Sequence, residues 1–368
     1  MMTYPLLAVI AEVTHRCPLH CVYCSNPLEM KSRQEELSTG DWLSVFEQAG
    51  KMGALQLDIT GGEPLARADL TDLVAGARKA KLYVNLITSG VGLNEARLDA
   101  LLEAGLDHIQ LSFQDALEAP ANEFAGTRAH AVKLALAAQI SSRRVAFTMN
   151  AVVHRANLDR LDEIIALAEE LAPHRLEVAH VQYYGWAVPN REALLPTREQ
   201  LDRSVEIVET ARRRLKGKMR IEFVTPDYYG KFPKACMGGW GRKLMLVTPA
   251  GEAMPCHAAG VIPEMHFDSV IQHPLLWLWE ESPAFQKFRG EHWMPEPCRG
   301  CDRRTLDFGG CRCQALLLAG DAAATDPTCS LAPARPVVDA ILARVNSVPE
   351  IPAATTRPDW VYRVNPAN

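Results

Sequence analysis

Short apolar runs alternate with longer amphipathic segments from Leu6 to about Val181. The strand-like runs are Leu6 to Val13, Leu55 to Thr60, Leu82 to Thr88, His108 to Phe113, Val145 to Val153 and Leu176 to Val181. Between them, apolar residues recur at three- and four-residue intervals over Thr39 to Lys51, Leu70 to Lys81, Glu95 to Ala104, Arg128 to Ile140 and Asn157 to Leu171, the spacing of helices. Strands separated by helices predict a parallel sheet, because parallel neighbours need crossover connections. A helix over Thr197 to Lys216 and a possible seventh strand over Met219 to Val224 complete this half.

Polar residues follow each strand: the Cys17 loop, Gly61-Gly62-Glu63-Pro64, Thr88-Ser89-Gly90, Ser112 with Gln114 and Asp115, Asn150, and Gln182-Tyr183-Tyr184. The C-terminal strand ends of parallel α/β folds carry the active site, and in barrels they converge on one mouth. Six furnished ends favour a barrel, and six strands are too few to close one. The expected fold is therefore α/β, a partial (β/α)6 TIM-like barrel over residues 1–225.

The pattern breaks at Pro226, Tyr228, Tyr229, Gly230 and Pro233. After Cys236 the chain is rich in Gly, Pro and Cys, with short apolar runs such as Leu244 to Val247. Such a segment is expected to bury little core and to be stapled by metals. We read residues 226–335 as a separate cysteine-rich domain. A short helix, Val337 to Val345, and a proline-rich tail fill 336–368, and the sequence does not decide whether Trp360 and Tyr362 dock on the body.

Hydrophobic residues make up 48% and charged residues 23%, which excludes a disordered chain. The formal net charge of -5 offers no basic excess for nucleic acid, and Arg212-Arg213-Arg214 reads as a solvated helix face. No apolar run approaches the ~20 residues that span a bilayer, and the N-terminus lacks the plan of a secretion signal, so the expected location is cytoplasmic. Ten cysteines in a reducing compartment are better candidates for metal ligands than for disulfides.

Three of them form Cys17-Pro-Leu-His-Cys21-Val-Tyr-Cys24. Thiolates suit iron-sulfur clusters, zinc and copper(I), and three on a cubane leave one iron without a protein ligand. The glycines of Gly61-Gly62-Glu63-Pro64 let backbone approach a ligand closely, and exposed NH groups with the Glu63 carboxylate suit an ammonium-bearing amino acid. His15 and His20 flank the thiols but are not read as ligands. The remaining cysteines are Cys236, Cys256, Cys298, Cys301, Cys311, Cys313 and Cys329, of which the Cys298-Arg-Gly-Cys301 knuckle alone would suffice for a zinc ribbon.

The spacing of Cys17, Cys21 and Cys24, with the GGEP run after the next strand, resembles the radical S-adenosylmethionine (SAM) superfamily. That resemblance implies a [4Fe-4S] cluster on the three thiols, chelated at its open iron by the amino and carboxylate groups of SAM. One electron then cleaves the sulfonium to a 5'-deoxyadenosyl radical. It also implies that Tyr23 packs near the adenine, that Gly61, Gly62 and Glu63 bind SAM, and that Ser89, Ser112 and Asn150 touch its methionine or ribose parts.

The later cysteines resemble the SPASM extension of peptide-modifying members, with Cys298, Cys301, Cys311 and Cys329 in the pattern and Asp307 where cysteine usually stands. With Asp307 as a ligand, one [4Fe-4S] cluster takes Cys298, Cys301, Asp307 and Cys329. A second cluster, expected as [2Fe-2S], is left Cys236, Cys256, Cys311 and Cys313.

Asp307, the extra Cys313, and the runs Leu111-Ser-Phe-Gln-Asp115 and Phe124-Ala-Gly-Thr127 resemble the peptide cyclases of pyrroloquinoline quinone biosynthesis. The resemblance covers nearly the whole chain. It implies the precursor peptide PqqA as substrate, with a Glu γ-carbon joined to a Tyr ring and an auxiliary cluster taking the ring's electron. Implied partners are the small peptide chaperone PqqD and a flavodoxin-like or other one-electron donor. Only sixteen residues precede Cys17, too few for a fused peptide-recognition domain. No catalytic base is identified; His180, Tyr183 and Tyr184 read as packing or substrate contacts. Two other readings stay open: a SPASM enzyme of sulfatase maturation or thioether crosslinking, and a zinc-stabilised binding module without catalysis.

Overall fold

Parallel pairing dominates the computed structural model, which describes residues 4–347 and 359–366. The strands are β1 (Ala8–Glu12), β2 (Gln56–Thr60), β3 (Tyr83–Thr88), β4 (His108–Phe113), β5 (Ala146–Val153), β6 (Arg175–His180) and β7 (Arg220–Val224). Each lies parallel beside the next in sequence. The helices α1 (Thr39–Lys51), α2 (Leu70–Lys79), α3 (Glu95–Glu103), α4 (Glu118–Ala125), α5 (His130–Ser141), α6 (Leu161–Leu171), α7 (Arg191–Leu194) and α8 (Arg198–Arg214) fill the connections. This is the expected partial barrel, with the seventh strand present.

Alternation along the strands decides which face meets the helices. In β4, Ile109, Leu111 and Phe113 are buried, whereas Gln110 and Ser112 point the other way and are only partly covered. Helices α1 and α2 answer with Trp42, Phe46, Leu70, Leu73 and Val74, all fully buried in the same core. Each such side chain contributes about 1.5–3 kcal/mol by leaving water. Helix starts are set locally. Ser38 and Asp41 form a capping box before α1, with the Asp41 NH donating to Ser38 Oγ at 3.2 Å and Ser38 donating to the Asp41 carboxylate.

The cysteine-rich half, expected to bury little core, lends two strands to the barrel sheet. Leu244–Val247 is β8, which lies parallel to β1 with Ala8 opposite Leu244, and β9 (Ala253–Met254) pairs antiparallel with β8. The nine-stranded sheet runs in the order β7-β6-β5-β4-β3-β2-β1-β8-β9. Met245, Leu246 and Val247 are fully buried, so this run adds core to the barrel. A four-residue apolar segment gives no local sign that its partner lies more than 230 residues away; only the two-sided burial shows it.

Beyond β9 come α9 (Leu275–Glu280), α10 (Pro283–Gln286), α11 (Arg304–Asp307), α12 (Arg312–Ala319) and α13 (Arg335–Ser347). Helix α13 buries Val338, Ile341, Leu342 and Val345 in the apolar cluster that also holds Tyr23. The proline-rich stretch 348–358 lies outside the described residues. Trp360, left open in the sequence, docks edge-on against Phe124 with ring centroids 6.0 Å apart. Among the described residues, no helix is long and apolar enough to cross a membrane.

Candidate active site

The loop after β1 and the loop after β2 are built on one another. Gly62 NH donates to Thr14 O at 2.6 Å and Glu63 NH to Arg16 O at 2.8 Å. A Cβ on Gly61 would sit 2.2 Å from Thr14 O, and one on Gly62 would sit 2.4 and 2.5 Å from the carbonyls of Arg16 and His15. Gly61 also has φ +136°. The close approach that requires glycine is therefore to the chain's own cysteine loop. This corrects the expected role for the NH groups: those of Gly62 and Glu63 are already engaged by carbonyls of that loop.

Glu63 is 1% exposed. Its carboxylate accepts from Leu65 NH at 3.1 Å, Thr88 Oγ1 at 2.6 Å, Ser89 NH at 2.7 Å and Ser89 Oγ at 2.5 Å. Burial pushes its pKa up, and these donors act against the rise. The carboxylate thus ties the end of β2 to the end of β3, and Ser89 is part of that tie. Ser112 and Asn150 are direct register partners on β4 and β5. Tyr23 is packed with Phe124, Val181 and Tyr183, its ring tilted against His154 at 5.7 Å.

Cys17, Cys21 and Cys24 lie within electrostatic reach of one another, and burial pushes Cys17 and Cys21 up to about 11 and about 12. Thiols this reluctant to ionise alone become thiolates when a cationic centre is bound. The flanking histidines face elsewhere: His15 Nδ1 accepts from Lys31 NH at 2.9 Å, and His20 Nδ1 donates to the Arg363 carbonyl at 2.8 Å. Lys133 was not anticipated, because a helical lysine ordinarily reads as solvated. It is wholly buried on α5, its Nζ donating to Ser112 O at 2.9 Å and Gln114 Oε1 at 2.6 Å, and burial lowers it to about 8.

Downstream, Cys236, Cys256, Cys313 and Cys311 close a ring of hydrogen-bonded sulfurs in that order. Bonds from Cys236 and Cys313 hold Cys256 and Cys311 below the usual thiol range. Tyr184 reaches across from the end of β6, its hydroxyl 2.9 Å from Cys311 Sγ. One residue later, Gly185 approaches the first loop so closely that a Cβ would lie 2.0 Å from Asn26 O, and Trp186 NH donates to Cys24 O at 2.9 Å. Thus one short segment touches both the first three thiols' loop and the four-sulfur ring.

The other expected set also converges. Cys298, Cys301, Asp307 and Cys329 line one pocket enclosing about 340 Å³ of empty space, its open mouth included. Asp307 accepts from Gly309 NH at 3.1 Å and pairs with Arg303 at 3.3 Å. Arg312, 1% exposed, donates to the carbonyls of Ala322 and Ala324 and lies in electrostatic reach of both Cys311 and Cys298, between the two sets. Among the described residues no group of His, Cys, Asp and Glu surrounds a single metal ion. The three sets fit iron-sulfur clusters by donor chemistry, being soft, thiolate-rich and partly to fully buried.

Of the residues weighed as a base, His180 is buried, with neither ring nitrogen hydrogen-bonded, and burial lowers it to about 3. An imidazole that weakly basic is poorly matched to taking a ring proton near neutral pH.

Comparison with known proteins agrees with this geometry. Residues 11–168 match the radical SAM superfamily and residues 236–302 the iron-sulfur cluster-binding SPASM domain, which sets the class as a radical SAM enzyme. The fold is that of Streptococcus suis SuiB bound to S-adenosylmethionine, with a TM-score of 0.74 at 19% identity over 89% of this chain and 77% of that one. It is likewise that of anSMEcpe with bound AdoMet, with a TM-score of 0.65 at 16% identity over 94% and 96%. A PqqA peptide cyclase of Methylobacterium nodulans is 52% identical over 358 residues, covering 97% of this chain and 93% of its own. That of Gluconobacter oxydans is 54% identical over 330 residues, covering 89% and 92%. The chain belongs to the PqqA peptide cyclase family.

Proposed function

We propose that this chain, as a PqqA peptide cyclase, joins a glutamate γ-carbon to a tyrosine ring of the precursor peptide PqqA in pyrroloquinoline quinone biosynthesis. The observation that carries the reading is the shared mouth: the loop of Cys17, Cys21 and Cys24 and the ring containing Cys311 are joined by Tyr184 to Trp186. Bound together, the cluster and SAM supply one-electron cleavage of the sulfonium and hence hydrogen-atom abstraction from the peptide.

The chain's own residues then have distinct tasks. Cys17, Cys21 and Cys24 hold three irons, and Gly61 and Gly62 fix the distance between that loop and Glu63. Glu63, held by Thr88 and Ser89, would receive the SAM ammonium. Ser112 and Asn150, side by side on β4 and β5, contact the ribose or methionine part, and Tyr23 contacts the adenine. Cys236, Cys256, Cys311 and Cys313 hold one auxiliary cluster, a [2Fe-2S] centre. Cys298, Cys301, Asp307 and Cys329 hold the other, a [4Fe-4S] centre. PqqD presents the peptide, a flavodoxin-like protein supplies the electron, and the reaction takes place in the cytoplasm.

A carboxylate is a harder ligand than a thiolate, and ligand type is one lever on cluster potential. Asp307→Cys should therefore keep the full iron content while shifting a reduction potential read by EPR titration. An unchanged potential together with unchanged turnover would contradict the role given to Asp307.

The function is tested by anaerobic, reducing incubation with SAM, scored for 5'-deoxyadenosine with and without PqqA. Release that rises with the peptide is expected. A colourless zinc protein, or release indifferent to PqqA, would overturn the reading.

A further inference from the structure

Residues 359–366 lie against the loop that carries Cys17, Cys21 and Cys24. Trp360 Nε1 donates to Glu123 Oε1 at 3.2 Å. Val361 NH donates to Asn190 Oδ1 at 2.9 Å, and Asn190 Nδ2 donates at 2.7 Å both to Val361 O and to Val22 O inside the cysteine loop. Arg363 NH donates to His20 O at 3.3 Å while His20 Nδ1 donates back to Arg363 O. Asn365 Nδ2 donates to Cys17 O at 2.6 Å and Leu19 O at 3.3 Å. Gly126 leaves room for the crossing, since a Cβ there would lie 2.7 Å from His20 Cβ and 3.0 Å from Tyr362. The segment is held by backbone and amide bonds along its length.

Its one cationic side chain, Arg363, is 3% exposed. The guanidinium donates to His15 O and reaches Cys24 Sγ at 3.5 Å, within electrostatic range of Cys17 and Cys21. Among the described residues it makes no ion pair with a carboxylate, and its Nε has no hydrogen-bond partner. A buried cation is costly unless something negative faces it. The thiols of Cys17, Cys21 and Cys24 lie within its reach and are anionic when they bind iron.

The geometry points to residues 359–366 as a strap on the cluster loop, with Arg363 as a positioning cation that balances the thiolate-bound cluster, raises its reduction potential and retards loss of iron. This rests on the reading that Cys17, Cys21 and Cys24 hold the cluster. The physical sense is fixed by charge: reduction adds an electron, and a nearby cation favours the more negative state. Asn365 contributes only hydrogen bonds and leaves the charge balance alone.

The test uses the full-length, iron-loaded protein and reads the EPR signal that changes when SAM is added. In Arg363→Gln the reduction equilibrium of that signal should fall about tenfold, about 59 mV for one electron, and Arg363→Lys should restore most of it. Asn365→Ala should leave the midpoint in place and speed iron loss to a chelator severalfold. The signals of the downstream clusters report folding in every variant. A midpoint unchanged in Arg363→Gln would overturn the role of the cation, and an iron-loss rate unchanged in Asn365→Ala would overturn the strap. A separate protein in which Cys17, Cys21 and Cys24 are all alanine should lack the SAM-responsive signal; if the signal persists there, the cluster assignment itself is wrong.

Discussion

Cys21→Ala should abolish 5'-deoxyadenosine formation while iron at the downstream sites is retained. Cys21 lies within electrostatic reach of Cys17 and Cys24, and burial pushes its bare thiol up to about 12. On the proposed ligand set, alanine leaves two thiolates of three. Losing an outer-shell partner of a metal site typically costs about 10- to 100-fold. Loss of a direct ligand should exceed this, taking turnover below detection. Cys236, Cys256, Cys311 and Cys313 form their ring without touching Cys21, so the visible absorbance of the downstream clusters should remain. Loss of all iron in this single variant would mean that the sites are not independent in the way the structure implies.

A second large effect is expected at a residue with no chemistry of its own. Gly62→Ala places a methyl 2.4 Å from Arg16 O and 2.5 Å from His15 O, and both obstacles are backbone, which cannot swing aside as a side chain would. Overpacking of this kind costs about 1–3 kcal/mol or more. The movement that relieves it separates Glu63 from the cysteine loop, so the variant should lose SAM affinity and hold less iron on Cys17, Cys21 and Cys24. Gly40→Ala is the matched control. It lies in α1, its added methyl would meet only Ser38 Oγ at 3.7 Å, and it should be neutral or slightly stabilising. SAM affinity and iron per chain, measured side by side, separate the two; equal behaviour would refute the interlocked-loop account.

The strands of the barrel were legible because period-two alternation and turn residues are local signals. Bounds shifted by a residue or two at ends such as Arg175, where the first strand residue is exposed. The run Leu244 to Val247 was visible but not its partner, since a parallel pairing with β1 leaves no mark in either segment alone. At the site, the cysteine groupings expected from the family resemblance come together: four sulfurs in a ring, and three cysteines with Asp307 around one pocket. What the sequence hid was who touches whom across long distances. The paired glycines marked a tight place without saying that the cysteine loop fills it. No sequence pattern singled out Lys133 or Arg363, and only the folded chain shows them buried near the thiols.

The proposed reaction forms a carbon-carbon bond within PqqA. Tandem mass spectrometry of PqqA after anaerobic turnover with SAM tests it most directly. The account predicts a product lighter by two hydrogens, with fragmentation blocked between one glutamate and one tyrosine. A peptide of unchanged mass despite 5'-deoxyadenosine release, or a crosslink through sulfur, would contradict it.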